Sequence, residues 1–267
     1  MSIIQAAGSG EVSTGFYKLL LDQSLKFNDD DNHYLTRTPS SAGNRKTLTW
    51  SGWVKRSTLG GFQNLFTAEG DGGGESASIR FDSSNRLDVI FLTDGADTIT
   101  GRLITNRLFR DMSSWYHIVY AQDTTSGTAG NRLRLYVNGV EETSFATDTN
   151  PTQNHDGQIN ADVIHNIGNN AHGNAQYFDG YMAEINLIDG TALTPASFGE
   201  TKDGIWIPKD TSGLTFGTNG FHLTFKDDVI SEGFNTVTYR GTGATQSLSG
   251  VGFKPDFVLV KKVTGTG

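Results

Sequence analysis

The sequence predicts an all-β fold in which two antiparallel sheets pack face to face as a sandwich or jelly roll. Short segments alternate apolar and polar residues along most of the chain, which is the period of a strand with one buried face. Clusters of Gly, Asp, Ser and Asn separate these segments and supply turn conformations. Amphipathic helix patterns are almost missing, so the strands must bury their apolar faces against one another.

The composition of the 267 residues excludes several classes of protein. The formal net charge is −8 and no run of basic residues occurs, so a nucleic-acid partner is not expected. There is no cysteine, which removes disulfides, thiolate metal sites and a cysteine nucleophile. No export signal opens the chain, and no apolar run approaches the roughly 20 residues of a membrane-spanning helix. We therefore expect synthesis in a cytoplasm and no membrane insertion.

The first half of the chain predicts a series of strands. In the longest of them, Leu48, Trp50 and Val54 alternate with Thr49 and Ser51, so one face is expected to point inward. The predicted strand segments are SLKF, HYLTRT, KTLTWSGWVKR, FQNLFTA, SASIRFD, RLDVIFLT and DTITGRLIT.

Residues 115–145 predict three further antiparallel strands. Two alternating runs flank a loop, and the second run ends at Asn138-Gly139. This dipeptide is the strongest short-range signal for a two-residue hairpin, because both central positions of a type I′ turn need positive φ. Leu133, Leu135 and Val137 fall on one face of their strand.

Residues 146–200 begin with a long polar region and return to strand and turn signals. The polar region, 146–176, is interrupted by DVIHNIG, and YFDGYMAEINLIDG then predicts a strand. In LTPASFGE, Thr194 is expected as the N-cap of one helical turn with Pro195 at its first position.

Three parts of the chain differ in composition and in strand pattern. Residues 1–23 form an N-terminal arm or attachment segment, since the first 16 are small, Gly-rich and Ser/Thr-rich. Residues 24–202 hold the predicted sandwich. A boundary is expected near Asp203, and residues 203–267 then form a β-rich C-terminal segment compatible with the start of a further domain.

Four segments, in order, resemble the concanavalin A-like jelly roll in its laminin G-like form, over roughly residues 24–200. They are SLKFNDDDNHYLTRT with KTLTWSGWVKR, SSWYHIVYAQD, LRLYVNGVEETS, and NIGNN with YFDGYMAEINLIDGTALTPASF. The resemblance implies a two-sheet sandwich. It also implies structural anchor roles for Trp53, Trp115, His117, Asn138 and Gly139. A structural Trp115 is favoured over one that stacks on a sugar, because buried aromatic residues usually pack.

The arm, the segment LDQSLKFNDDDNHYLTRTP and GFKPDFVLVKK are similar to segments of tailed-bacteriophage virion proteins that carry laminin G-like domains. The similarity implies location in the virion. The implied partners are other virion proteins of the capsid or tail, further copies in a homo-oligomer, and host surface polysaccharide. Folding in the host cytoplasm and release by lysis would explain a surface-type domain that lacks an export signal.

No catalytic pattern is found. Glucanases of this fold place two carboxylates on one strand face, but the ExDxxE pattern does not occur. Glu141 and Glu142 are adjacent, and Glu184 has no acidic partner two residues on. No GxSxG motif or triad signature appears. We therefore predict a protein that is not an enzyme and keep a glycoside hydrolase as a minor alternative.

Metal sites are weakly indicated. His155, His165 and His172 lack zinc-type spacing, and no cofactor is expected. Calcium is possible at Asp29, Asp31 and Asp71, which supply the oxygen ligands that this ion requires. Neither NDDDN at 28–32 nor EGDGGGE at 69–75 matches an EF-hand loop. Solvated turns are therefore the favoured interpretation of both segments.

The best candidate for glycan binding is NNAHGNAQYFDG, with His172, Asn174 and Tyr177 at or near a loop tip. Exposed rings beside amides suit sugars, and long loops often carry function. The alternative, which we favour, is an ordinary polar loop in which Tyr177 or Phe178 packs inward.

Two functional hypotheses remain. The leading one is a non-enzymatic virion structural protein, a capsid decoration, head fibre or tail fibre, that displays the domain and adheres weakly to cell-surface glycans. The alternative is a dedicated carbohydrate-binding receptor-recognition protein.

Overall fold

A computed structural model of the chain describes residues 23–70, 75–93, 98–171 and 175–225. These ranges contain two seven-stranded antiparallel sheets, one two-stranded hairpin and two short 3-10 helices. The predicted all-β sandwich is confirmed. No helix within the described ranges is long and apolar enough to cross a membrane. The predicted N-terminal arm and the end of the chain after Phe225 lie outside the described residues, apart from Gln23.

The strands follow the predicted segments closely. The first seven are β1 (Leu25–Phe27), β2 (Leu35–Arg37), β3 (Thr47–Arg56), β4 (Gln63–Glu69), β5 (Ser76–Phe81), β6 (Leu87–Thr93) and β7 (Thr98–Thr105). The others are β8 (Tyr116–Asp123), β9 (Leu133–Val137), β10 (Val140–Glu141), β11 (Phe145–Thr149), β12 (Ile164–Ile167), β13 (Gly180–Asp189), β14 (Gly199–Lys202), β15 (Ile205–Pro208) and β16 (Phe221–Leu223).

The two sheets differ in how far apart neighbouring strands lie in the sequence. The first sheet has the order β1-β13-β3-β8-β9-β10, with β16 also paired to β13. The second sheet has the order β11-β7-β6-β5-β4-β12-β2. Most neighbours in the first sheet are distant in sequence, whereas β4 to β7 form a simple meander.

The core lies between the two sheets. Trp50, Ile118 and Tyr120 face inward from the first sheet, and Phe66 and Phe91 face them from the second. Trp50 stacks on Phe66 with 6.4 Å between ring centroids, and Phe91 meets Tyr120 edge to face at 6.2 Å. Each large side chain buried in this way stabilises the fold by about 1.5–3 kcal/mol.

The Asn138-Gly139 turn joins β9 to β10 as predicted. Val140 pairs with Val137, and the two turn residues have φ values of 50° and 81°. The Asn138 side chain also accepts a hydrogen bond of 2.8 Å from the backbone N–H of His117. The turn is therefore held to β8 as well as closing the hairpin.

The outer face of the first sheet is covered, which the alternating pattern of β3 did not predict. Thr49, Ser51 and Trp53 point outward and are nevertheless buried. The hairpin of β14 and β15 lies over this face, and Trp206 fits against Gly139, where an added Cβ would lie 2.6 Å from the indole. The expectation of one inward face was incomplete, because a later segment buries the other face.

A second, smaller apolar cluster completes this cover. Val119, Ala121 and Tyr136 from β8 and β9 pack with Ile188 and Phe198. Leu193, Leu214 and Phe216 pack against the cluster from the covering segment. The segment that follows β13 is thus part of the packed domain.

The compact unit extends past the boundary expected at Asp203. Asp203 lies in the turn between β14 and β15, with a φ of 50°, and β16 pairs with β13. The first compact unit of the chain ends at Phe225. Pairing of Phe221–Leu223 with the longest strand of the sheet is the physical reason for the later end.

The predicted helical turn forms as a 3-10 helix over Pro195–Ser197. Pro195 occupies its first turn, as expected, and Thr194 occupies the N-cap position with an extended backbone. The Thr194 hydroxyl makes no capping hydrogen bond, so the position was predicted correctly and the side-chain contact was not.

Candidate functional site

The candidate glycan loop is described only in part. His172 and Asn174 lie outside the described residues. Tyr177 is half-buried, and its ring packs against Tyr34 with 6.4 Å between centroids and an angle of 51°. Tyr34 precedes β2 and is 41% exposed. The two tyrosines therefore form a partly exposed aromatic pair at the edge of the second sheet.

Both ends of this loop are anchored on the second sheet. The backbone N–H of Asn64 donates to the Gln176 carbonyl at 3.0 Å, and its Nδ2 donates to Gln176 Oε1 at 3.0 Å. Thr67 Oγ1 donates to the Asn169 carbonyl at 3.1 Å. Gln176 has a φ of 55°, in the left-handed region. These contacts fix the direction in which Tyr177 leaves the loop.

Three amide atoms beneath the loop are buried and have no hydrogen-bond partner among the described residues. They are Oδ1 of Asn64, Oδ1 of Asn166 and Nδ2 of Asn169. Asn166 donates to Asn169 Oδ1 at 2.7 Å, so reversing both amides would still leave one donor and one acceptor unused. Buried polar groups normally find partners, and water or ligand hydroxyls have the required chemistry.

An arginine and a phenylalanine continue the surface beyond Asn64. Asn64 pairs in register with Arg80, and the Arg80 guanidinium lies 4.6 Å from the centroid of the Phe62 ring. Phe62 is 38% exposed. We call the surface formed by Tyr34, Phe62, Arg80, Gln176 and Tyr177 the tyrosine rim.

A buried carboxylate holds Arg80 in place. Asp88 is fully buried, and its carboxylate accepts from Arg80 Nε at 3.0 Å and from Arg102 Nη2 at 2.9 Å. The hydrogen bond to Asp88 raises the pKa of Arg102 above its usual value. Two cations around one anion keep this part of the outer face positive.

The chemistry of the tyrosine rim suits a saccharide. The apolar C–H face of a pyranose packs on an aromatic ring, while amides and a guanidinium fix its hydroxyls. The rim offers two exposed rings, Tyr34 and Phe62. Gln176 and Arg80 are linked through Asn64, and Arg80 in turn contacts the Phe62 ring. The sequence identified Tyr177 only. Tyr34, Phe62 and Arg80 come from other strands, and no local signal connects them to this loop.

The predicted structural anchors surround His117. Its ring stacks on Trp53 at 4.8 Å and on Trp206 at 5.9 Å. Trp206 Nε1 donates to His117 Nδ1 at 2.9 Å, so Nε2 carries the proton and donates to Ser51 Oγ at 2.9 Å. Burial lowers the pKa of His117 to about 3. Trp115, the residue before β8, is half-buried.

The other histidines named as metal candidates have different surroundings. His165 accepts from the Asn160 N–H at 3.0 Å and donates to the Val163 carbonyl at 2.8 Å, and burial lowers its pKa to about 4. His155 is half-buried, with Nε2 3.4 Å from Thr100 Oγ1. Both nitrogens of His165 are therefore occupied, and His172 is not described.

The calcium candidates do not fit that ion in the described residues. The Asp31 carboxylate accepts from the Asn28 amide, and Asp29 lies in the same turn. Asp71 lies outside the described residues. No group of three or more His, Asp or Glu side chains in the described ranges is arranged to hold a metal. We derive no function from calcium.

The carboxylates considered for catalysis have partners in the folded chain. Glu184 Oε2 lies 2.6 Å from His222 Nε2, and Glu142 Oε1 lies 2.8 Å from Arg107 Nε. Glu184 sits in a bulge of β13 with a φ of 49°. Glu141 is exposed and lies 3.8 Å from Arg134.

Similar solved structures are distant in sequence. A pentraxin of Limulus polyphemus is 18% identical, with a TM-score of 0.43 over 60% of this chain and 71% of its own. Domains LG4-5 of mouse laminin α1 are 13% identical, with a TM-score of 0.43 over 74% and 46%. Tailspike protein 2 of the Escherichia coli O157:H7 bacteriophage CAB120 is 11% identical, with a TM-score of 0.41 over 66% and 23%.

A family model gives the assignment. No match to the chain was found among curated proteins. The matching model is a laminin G type described as the concanavalin A-like lectin/glucanases superfamily, and it covers residues 28–197. This range spans the NDDDN turn, the strands from β2 to β13 and the helical turn at Pro195. Since the match covers more than half of the chain, the protein belongs to the concanavalin A-like lectin/glucanases superfamily, as a laminin G-like domain.

Proposed function

We propose that this chain is a non-enzymatic virion protein of a tailed bacteriophage that displays a laminin G-like domain and binds cell-surface saccharide through the tyrosine rim. The packing of Tyr34 against Tyr177 beside Gln176 carries the binding part of the proposal. The resemblance of the arm, residues 21–39 and GFKPDFVLVKK to virion proteins supports the setting.

The rim supports weak rather than tight binding by a single domain. Its rings are partly exposed, and its polar groups lie on the surface rather than in a deep cavity. Small apolar contacts and water-exposed hydrogen bonds give modest affinity. Copies repeated on a particle, or joined in a homo-oligomer, gain avidity because later contacts form at high effective concentration.

A dedicated receptor-recognition protein is the second candidate. The exposed rings favour it, because a purely decorative domain has no need of an aromatic surface. Location in the particle bears on this choice: a decoration or head fibre lies on the capsid, whereas location at the tail would favour receptor recognition. Cryo-EM of purified particles distinguishes them by the position of a two-sheet sandwich.

A hydrolase is not proposed. A retaining glycosidase needs two carboxylates about 5–5.5 Å apart, with one of them poised to attack. Glu184, for which the sequence offered no acidic partner, is paired with His222. Release of reducing sugar from β-glucan that disappears in Glu184→Gln would contradict the non-enzymatic part of the proposal.

Binding is tested on an array of purified bacterial capsular polysaccharides and lipopolysaccharides. The intact protein is expected to bind at least one of them saturably. Tyr34→Ala and Tyr177→Ala are each expected to weaken binding about tenfold, since each removes one stacking surface. Tyr181→Ala is the matched control, because Tyr181 is a 37% exposed tyrosine on β13 of the other sheet.

Two results would overturn the binding proposal. One is the absence of saturable binding to every polysaccharide on the array. The other is an equal loss of binding in Tyr177→Ala and Tyr181→Ala.

The virion part is tested separately, because deletion of residues 1–23 is expected to abolish incorporation into particles while the domain still folds. Retained incorporation would show that the arm is not the anchor.

A further inference from the structure

A cleft of about 230 Å³ opens on the outer face of the first sheet. Its floor contains Ala121 of β8 and Tyr136 of β9, which are 5% and 6% exposed. Leu193, from the segment that covers this face, supplies an apolar wall. The tyrosine rim lies on the other sheet, so the two surfaces are built from different strands.

The size of the cleft limits its occupant. Sites for drug-sized ligands usually enclose about 300–1,000 Å³. A volume below this range fits one small ring or a chain of a few atoms. The apolar floor and wall favour a ligand that has an apolar face of its own.

Among the polar side chains that line the cleft, Asp123, Asn131 and Arg134 keep unused hydrogen-bonding capacity. Asp123 Oδ1 accepts from the Thr125 N–H at 3.1 Å, which leaves Oδ2 without a partner among the described residues. Arg134 Nη2 donates to Asn131 Oδ1 at 2.6 Å. Within the described part of the chain, Arg134 Nη1 and Asn131 Nδ2 have no partner. The cleft therefore presents one strong acceptor and two donors.

The charges around the cleft favour a neutral ligand. Asp123 disfavours an anion, and Glu141 also disfavours one. Glu141 lies 3.8 Å from Arg134 and offsets the charge of its guanidinium group. Arg134 in turn disfavours a cation. Hydroxyl groups both donate and accept, so they can use Asp123 and Arg134 at once. A neutral ring that carries hydroxyls on its edge and C–H groups on its face matches the apolar floor together with these charged and amide groups.

We propose that this cleft is a second saccharide site, which takes one neutral hexose unit. The inference rests on the proposed function for its ligand class alone, since its residues are independent of the tyrosine rim. Two sites on opposite sheets would allow one domain to contact two parts of a branched or repeating polysaccharide, which raises avidity without new contacts at either site.

The test titrates the intact protein with D-glucose, D-galactose and D-mannose. Binding is measured from the backbone amide shifts in NMR spectra. At least one sugar is expected to shift the amides of residues 121–136 and 192–194 saturably, with a Kd on the order of millimolar. Arg134→Met and Asp123→Asn are each expected to weaken this binding about tenfold, because each removes a charged hydrogen-bond partner.

The control variants separate the cleft from the rim and from general charge effects. Arg110→Met removes an exposed arginine that does not line the cleft and is expected to leave the shifts unchanged. Tyr34→Ala is also expected to leave them unchanged, even where it abolishes polysaccharide binding. Shifts confined to the rim, no saturable shifts with any of the three sugars, or equal weakening by Arg110→Met would overturn the proposal.

Discussion

The outer faces of the two sheets bury polar side chains by different means. On the first sheet, a later segment of the same chain covers His117, Ser51 and Thr49. On the second sheet, the fully buried Asp88 is covered by Arg80 and Arg102 from the neighbouring strands. One face uses neutral hydrogen bonds beneath an apolar cover, and the other uses charge beneath partly exposed guanidinium groups.

The difference follows from the solvent that each face retains. A covered face is costly for charge, because desolvation outweighs most ion-pair energy, and His117 accordingly stays neutral. A face that keeps water at its rim tolerates arginines, whose side chains here are 15% and 22% exposed. The open face therefore carries the candidate rim, while the first sheet carries the cleft beside Arg134.

Removing the cover of the first sheet is expected to have the largest effect. Trp206→Ala deletes an indole that packs on Gly139 and leaves His117 Nδ1 without its donor. We expect a loss of about 4 kcal/mol in the free energy of unfolding, measured by urea denaturation at pH 7. Ile205→Ala, at a 53% exposed position of the same strand, is the control and is expected to cost far less. Equal losses would mean that the indole does not hold the cover.

Neutralising the charge on the second sheet is expected to have an intermediate effect. Asp88→Asn keeps the shape of the side chain but leaves Arg80 and Arg102 without their carboxylate. The expected loss is about 2–3 kcal/mol, because charge-assisted hydrogen bonds disappear while the guanidinium groups still reach water. Denaturation of Asp88→Asn and of Asp148→Asn, an exposed carboxylate on β11, provides the measurement. No difference between them would show that the Arg–Asp–Arg group does not stabilise the sheet.

Acidification is expected to produce the smallest effect for each group. Because the folded pKa of His117 is about 3, below the unfolded value of about 6.5, the neutral ring stabilises the fold above pH 6.5. This contribution is lost as the pH falls, by about 2 kcal/mol between pH 7 and pH 5. His165, with a pKa of about 4, contributes a similar loss.

Comparison with Trp206→Ala isolates the contribution of His117. The variant admits water to the ring, so its folded pKa rises and the loss between pH 7 and pH 5 becomes smaller than in the unaltered protein. His165 lies under the second sheet and contributes equally to both. Identical pH dependence in the two proteins would contradict the assignment of this loss to His117.

Local patterns in the sequence predicted most of the strands and one turn. The alternation in KTLTWSGWVKR located β3, and Asn138-Gly139 located a hairpin whose two φ values are positive. Both signals act between near neighbours, where side-chain direction and allowed φ values depend on a few adjacent residues. They give the same result wherever the segment lies in the fold.

Three features depended on contacts between distant segments. Trp206 and His117 are 89 residues apart, so the buried outer face of β3 has no local signal. The pairing of β16 with β13 moves the end of the compact unit to Phe225. Tyr34 meets Tyr177 only because β2 and β4 both pair with β12, which places their loops at one edge.

The sequence by itself determined that this chain forms a two-sheet sandwich, because period-two alternation and turn residues act locally and leave strands only one another to bury against. The tertiary structure decided which outer face is covered and which residues share the tyrosine rim and the cleft. Those outcomes depend on strand order and register between distant segments, and the alternating pattern is compatible with many such arrangements.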